Sequence, residues 1–327
     1  MAPNVRKTLK ITASFALAGV LIYFSFKGID WPVFLQDLKD TRWGWILVFV
    51  LTAVAALLFR ALCWQAMIKP LDPGISLHRV WSANNVGNLT NAVIPASGEL
   101  VRCAYVAGEK AGYDAVLGTE LMERIWDTVA IALLAVIAII TGSESISKFF
   151  SEHIWGPLAS NTPLLLWTGA GILAVVLFIV LAFRLRNRYR LMGIVARFFS
   201  GLGHGIVAFR DIRPFWRFLV YTILLWLMYI AMYMCIIRAV PALSCLGLAD
   251  ALFLAAVGNF ASVIPVPGGL GAYHYLIALS ISGIYGLSWE AGILFATLQH
   301  ELHAVVLVLL GILSYFRLNL RRKAESA

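Results

Sequence analysis

Charge of either sign is scarce in this chain. Asp, Glu, Lys and Arg make up 13% of its 327 residues, against ~25% in a soluble domain. The hydrophobic share is 61%, where a soluble domain has ~45–50%. These figures exclude an ordinary soluble enzyme and a disordered chain. Cysteine is also sparse: Cys63, Cys103, Cys235 and Cys245 form no disulfide framework and have no metal-ligand spacing. Cys63 and Cys235 fall in apolar runs and read as small core residues. What remains fits a polytopic membrane protein.

Long stretches without Asp, Glu, Lys or Arg include 11–26, 43–59, 128–143, 153–183, 218–237, 251–289 and 302–316. A bilayer span needs ~20 mostly apolar residues. The pattern predicts six full spans, at 9–26, 44–68, 115–141, 162–184, 215–237 and 288–316, and an all-α fold. Two further apolar regions, 80–108 and 250–285, are interrupted by Pro and Gly. The basic start (Arg6, Lys7, Lys10) before an apolar run imitates a signal peptide, but no small-x-small site follows, so it reads as a retained first helix.

Net charge is +9. The positive residues flank apolar runs, with seven Arg between Arg184 and Arg213 against the single acid Asp211. That is the positive-inside pattern rather than a nucleic-acid footprint. It places the N- and C-termini in the cytoplasm of an inner (cytoplasmic) membrane, multi-pass. Loop 27–42 runs against this scheme, because it would lie outside with Lys27, Lys39 and Arg42. Within 184–213, Leu191, Val195, Phe198, Leu202, Ile206 and Phe209 recur at helical spacing, as expected of an amphipathic connector on the membrane surface. The 11 Trp read mostly as interfacial belt residues.

The two interrupted regions resemble each other. Val86-Gly87-Asn88 and Val257-Gly258-Asn259 each lead, after a short spacer, to V-I-P-x-x-G-x-L, at Val93 to Leu100 and Val263 to Leu270. Thr119-x-x-x-Glu123 and Thr297-x-x-x-Glu301 then occupy corresponding places. Under the predicted topology the repeats enter from opposite sides. The chain thus divides into a single integral membrane domain (1–327) with a first inverted repeat (44–142), the connector (184–213) and a second inverted repeat (214–316). Such repeats with broken helices build midplane sites in secondary transporters. Backbone freed by Pro95 or Pro265 cannot face lipid; it must be buried in protein or line a watered cavity. Each break restarts a helix. Ser97 is placed to cap the first, exposing amides at Gly98 and Glu99, with Arg102 one turn on and Glu99 as its i+3 partner. Gly268, Gly269 and Gly271 open the second with bare backbone. Helix N-termini favour anions, and two meeting near the midplane would suit a phosphate. Asn88 and Asn259 are placed to satisfy the broken backbone.

Pro95-Ala-Ser-Gly-Glu99-Leu-Val-Arg102, Glu123-Arg124-Ile-Trp-Asp127 and Pro267-Gly-Gly-Leu-Gly-Ala272, in that order, resemble the lysylphosphatidylglycerol synthase transmembrane-region family. Its members are flippase-like membrane proteins, similar to the flippase half of the multiple peptide resistance factor. The resemblance implies lipid translocation. No aminoacyl-transferase domain follows residue 317, so lysyl-lipid synthesis is not expected. Where the family often has Glu after the second Gly-rich break, this chain has Tyr273-His274, and His274 is the candidate to take over that role.

Glu301 lies midway along 288–316, with no other charged residue between Glu290 and Arg317. A carboxylate at the bilayer centre costs at least ~2.5 kcal/mol, so it is expected to be protonated, paired or wet, and it is the candidate coupling acid, with His300 and His303 beside it. His300-Glu301-Leu302-His303 is no zinc motif, because its two His are three apart rather than four. Glu120, Glu123 and Asp127, at i, i+3 and i+7, form an acidic stripe beside Arg124, either an interfacial cap or part of a pathway. Without a nucleotide-binding loop the process would be secondary or downhill. The reading is a translocase for an anionic phospholipid or lipid-linked head group, with no metal and no cofactor. Its partner is a membrane lipid rather than a nucleic acid, and a homo-oligomer stays open. Two alternatives stand beside it: an intramembrane transferase or hydrolase acting on a lipid phosphate through His274, His300 and Glu301, and an accessory subunit of an envelope complex.

Overall fold

The computed structural model describes residues 19–94, 97–141, 173, 177–178, 180–186, 188–261 and 269–325. Regular structure among them is helical throughout. A first helix, α1 (19–26), leads to α2 (Trp31–Lys39), α3 (Trp43–Ile68), α4 (Leu77–Val93), α5 (Gly98–Val106) and α6 (Tyr113–Thr141). Then come α7 (Arg190–Ala208), α8 (Phe215–Ala239), α9 (Leu248–Ala261), α10 (Ala272–Tyr285) and α11 (Trp289–Glu325).

Local chemistry sets several boundaries. Asp30 caps α2 by accepting from the Val33 amide, and Ser76 caps α4 by accepting from the Arg79 amide, each satisfying a first-turn N–H that has no partner within the helix. Helix α10 ends at Gly286, whose φ of 66° is a left-handed conformation that suits glycine. Among the described residues, three helices are long and apolar enough to cross a membrane: Trp43–Ile68, Phe215–Ala239 and Trp289–Leu318. They correspond to three of the six predicted spans. Helix α6 covers a fourth, 115–141, but its first half carries Glu120, Glu123, Arg124 and Asp127. Spans 9–26 and 162–184 fall largely outside the described residues, as do Pro95, Pro265 and Gly268.

Helices α3 and α8 form the central pair and run antiparallel. The Arg42 amide at the start of α3 donates to the Ala239 carbonyl at the end of α8. Farther along, Arg60 meets Tyr229 and Cys63 lies 3.6 Å from Thr222. Around this pair the contacts are reciprocal. Helix α4 packs on α11 and α9 packs on α6, while α5 packs on α6 and α10 on α11. Each broken region therefore spans both halves of the chain. Helix α7 lies along α6, as an amphipathic connector would.

Lipid tails are as apolar as leucine, so helix association inside a bilayer rests on close packing of small residues. Ala53, Ala56 and Ala61 of α3 and Ala251 and Ala256 of α9 are fully buried. Gly87 of α4 sits against Gly98 of α5: a Cβ built on Gly87 would lie 2.9 Å from the Gly98 carbonyl and 3.1 Å from Arg102 Cβ. Gly258, its counterpart in the second repeat, is as crowded, with Tyr273 2.7 Å from a built Cβ. Both repeat glycines mark places where another element presses on the first helix of a break.

Gly87→Val should therefore lower thermal stability in detergent by the equivalent of about 1–3 kcal/mol. Gly283→Ala, in α10 with nothing within 4 Å of a built Cβ, should be neutral or stabilising by up to about 1 kcal/mol. Similar melting shifts for the two variants would contradict this packing.

Candidate functional site

Three arginines and four acids converge where α3, α4, α5, α6 and α8 meet. Arg60, the sole charged residue of α3, bonds Glu123 at 2.6 Å and Asp127 at 3.1 Å, and its Nε donates to the Tyr229 hydroxyl at 3.1 Å. Arg102 of α5 bonds Glu123 at 2.8 Å, Glu120, and Asn84 Oδ1 at 2.9 Å. Its guanidinium lies 4.5 Å from the centre of the Trp64 ring, a cation–π contact of the kind strengthened by desolvation. Arg124 joins Glu120 at 3.1 Å and Glu99 at 2.8 Å. The stripe periodicity explains the assembly: Glu120, Glu123 and Asp127 lie on one face of α6, and that face meets guanidiniums from α3 and α5.

The network has a buried core and an open edge. Side chains of Glu120, Glu123 and Arg102 are 4%, 5% and 7% exposed, whereas Arg124 is 50% exposed. Four carboxylates face three guanidiniums, so the cluster holds no surplus positive charge when all are ionised. Arg102 Nε and Glu99 Oε2 are enclosed without hydrogen-bond partners among the described residues.

Two cavities adjoin this network. The smaller, about 240 Å³, is lined by Asn88, Asn91, Gly98, Glu99 and Arg102, together with Arg60, Arg124 and Tyr229. The larger, about 580 Å³, shares Arg60, Arg124 and Tyr229 and extends to Asn259, Gln299 and His303 across the second half. Its wall is mainly side-chain hydrocarbon and aromatic rings, with Ile131, Leu134, Ile230 and Met232 among them. The repeat-related asparagines, Asn88 and Asn259, thus line the two cavities in turn.

Several expectations need correction. Glu99 is not the partner of Arg102; it takes Arg124 and the Asn91 amide instead. Ser97 does not cap α5, since its hydroxyl turns back to the Ile94 carbonyl at 2.6 Å. The Gly98 amide is not free, because Asn91 Oδ1 accepts from it at 2.7 Å. That cap belongs to Asn91, one turn beyond Asn88. Asn259 donates to the Ala255 carbonyl four residues earlier at 2.8 Å. The second restart is covered rather than bare. Gly271, at φ 80°, lies under α1, where a Cβ would approach the Ile22 nitrogen at 2.6 Å, and Ser25 donates to the Gly271 carbonyl. Helices α5 and α10 share no substantial packing among the described residues, so the two restarts sit on different neighbours.

The second half gathers a different cluster. His300 Nδ1 lies 2.9 Å from Glu301 and His274 Nε2 lies 3.9 Å from the same carboxylate oxygen. Gly269 is next to His300. The Glu301 side chain is 45% exposed, so it is paired and accessible rather than isolated in the centre of its helix. His303 departs from this group and faces the larger cavity. An acid on the last helix of each half thus meets a basic side chain on the restarted helix: Glu123 meets Arg102, and Glu301 meets His274.

Arg60, Tyr229, Asn84 and Gln299 were not singled out by sequence. For Arg60 a signal existed, since it is the one charged residue in a 26-residue apolar helix, and intramembrane ionisable residues are functional by default. Tyr229, Asn84 and Gln299 carry no such signal, because their role comes from which helices the fold brings together.

The family model described as lysylphosphatidylglycerol synthase TM region matches residues 11–311 of the chain. No curated protein and no solved structure matches it.

Removing one member of a buried ionic cluster leaves its partners uncompensated. Arg102→Met should lower stability by about 3–5 kcal/mol, and Arg124→Ala by no more than about 1 kcal/mol, because exposed ion pairs contribute little. Unfolding of purified variants in detergent measures both. An equal loss would mean that the network has no buried core.

Proposed function

This chain belongs to the lysylphosphatidylglycerol synthase TM-region family, a membrane domain linked to lipid synthesis or flipping, and we propose that it moves an anionic phospholipid or lipid-linked head group between the leaflets of the cytoplasmic membrane. The observation that carries this reading is the pair of cavities joined at Arg60, Arg124 and Tyr229. One is polar and lies against a helix break; the other has a mainly hydrocarbon wall and reaches the opposite half. An amphiphile needs both surfaces. A phosphate would enter by replacing Glu99 on Arg124, the exposed end of the network, since an exposed carboxylate pair is weak enough to exchange.

The antiparallel α3–α8 pair and the reciprocal packing of α4 on α11 and α9 on α6 support an inverted repeat with halves 44–142 and 214–316. Rocking of one half against the other would open the site alternately to each side. Glu301, with His274 and His300 beside it, is the group through which a proton would couple to that movement, as intramembrane carboxylate–histidine sets do in pumps. The convergence of His274, His300 and Glu301 also favours a second reading, acid–base chemistry on a lipid phosphate. That reading requires release of a chemically altered lipid, where translocation returns the lipid intact.

Arg60→Gln should reduce transfer of a fluorescent anionic phospholipid between leaflets of proteoliposomes by at least about tenfold, the scale of a lost charged hydrogen bond, with the protein still folded. Undiminished transfer would refute the role of the shared wall. In the same assay Glu301→Gln should leave lipid binding intact and flatten the dependence of transfer on pH. A wild-type pH profile in this variant would leave Glu301 as a structural acid.

A further inference from the structure

The larger cavity contains polar groups that the anion-handling network does not use. Gln299 is 6% exposed and Trp226 9%. Both line the cavity, and Gln299 Oε1, Trp226 Nε1 and His303 Nε2 are enclosed without hydrogen-bond partners among the described residues. Burying such groups unpaired is costly, and these three belong to residues that line one cavity. Their chemistry is specific. Indole N–H only donates, the amide oxygen only accepts, and neutral imidazole Nε2 does one or the other according to its tautomer. None of the three carries a fixed charge.

This set discriminates among the parts of a lipid. A phosphate would leave the Gln299 oxygen facing negative charge. An ammonium would face the indole donor, and the carboxylate of the wall, Asp127, is already bonded to Arg60 at 3.1 Å. An ester carbonyl accepts but cannot satisfy Gln299. A hydroxyl both donates and accepts, so hydroxyl groups can serve the indole and the amide together. Trp226, Tyr229 and Tyr233 add aromatic surface to the same wall, which suits the apolar C–H face of a polyol or sugar ring. At about 580 Å³ the cavity is within the range of small-molecule sites.

We propose that the larger cavity is a subsite for the uncharged, hydroxyl-bearing part of the substrate, a polyol or sugar, while its phosphate lies at Arg60 and Arg124. This rests on the translocation reading above and narrows its substrate to hydroxylated anionic lipids. Hydroxyl binding adds neutral hydrogen bonds, and these correspond to about fivefold in affinity.

The test is native mass spectrometry of the purified full chain with three lipids at equal concentration. Phosphatidylinositol carries a polyol, phosphatidylmethanol has the same phosphodiester charge and no hydroxyl, and phosphatidylcholine provides the baseline. The expected result is retention of phosphatidylinositol over phosphatidylmethanol by about fivefold, with both above phosphatidylcholine. Trp226→Phe keeps the ring and removes the donor, and Gln299→Met keeps length and removes the acceptor. Each should bring the ratio toward one, and Trp226→Phe suffices should Gln299→Met fail to fold. Equal retention of the two anionic lipids by the wild type would overturn the polyol subsite and leave the anion reading standing. Retention of neither above phosphatidylcholine would overturn both. A preference unchanged in the variants would place hydroxyl recognition elsewhere and also overturn the proposal.

Discussion

A guanidinium inside an apolar helix bundle cannot stand alone, and the first half of this protein is arranged around that constraint. Arg102 is brought inward by a helix that restarts after a break, and Arg60 lies within a helix otherwise free of charge. Each needs carboxylates at close range, and α6 supplies them from one face through Glu120, Glu123 and Asp127. The break, the glycine contact between α4 and α5, and the entry of a charged helix segment into the bundle all follow from building this cluster. Buried ionic groups are weak contributors to net stability compared with apolar packing. Their presence here therefore argues for a task that apolar residues could not perform.

The second half carries the repeated sequence positions with different chemistry. Gly258 is crowded as Gly87 is, and Asn259 lines one cavity as Asn88 lines the other. The acid of the last helix again meets a basic side chain of the restarted helix, but arginine is replaced by histidine. Histidine gives up its proton far more readily than arginine, which stays charged. The division assigns fixed charge, suited to holding an anion, to one half and titratable groups to the other. The shared wall of Arg60, Arg124 and Tyr229 lies between the two.

Much of this was legible in the sequence. The apolar runs placed α3, α8 and α11 closely, because a long stretch without charge has few alternatives to a membrane helix. The V-G-N and P-x-x-G repetition located both breaks. The i, i+3, i+7 spacing of Glu120, Glu123 and Asp127 put them on one face. What the sequence did not disclose was pairing. Local spacing nominated Glu99 for Arg102, yet the fold gives Arg102 to α6 and Glu99 to Arg124, since tertiary neighbours were closer than helical ones. Ser97 matched the preference for N-caps, but Asn91 reached the Gly98 amide from the preceding helix. Tyr229 and Gln299 became visible only once α8 and α11 were placed around the cavity.

The central claim is that an anionic lipid head group enters the space shared by Arg60, Arg124 and Tyr229. Photocrosslinking in proteoliposomes addresses it directly, with an anionic phospholipid carrying a photoactivatable group at its head and adducts mapped by peptide mass spectrometry. The account predicts adducts within residues 124–135 of α6 and 226–233 of α8, lost when Arg60 is replaced by Gln. Adducts confined to outward-facing positions of α3 such as Leu47 and Leu51, which are 63% and 62% exposed, and insensitive to Arg60, would contradict it.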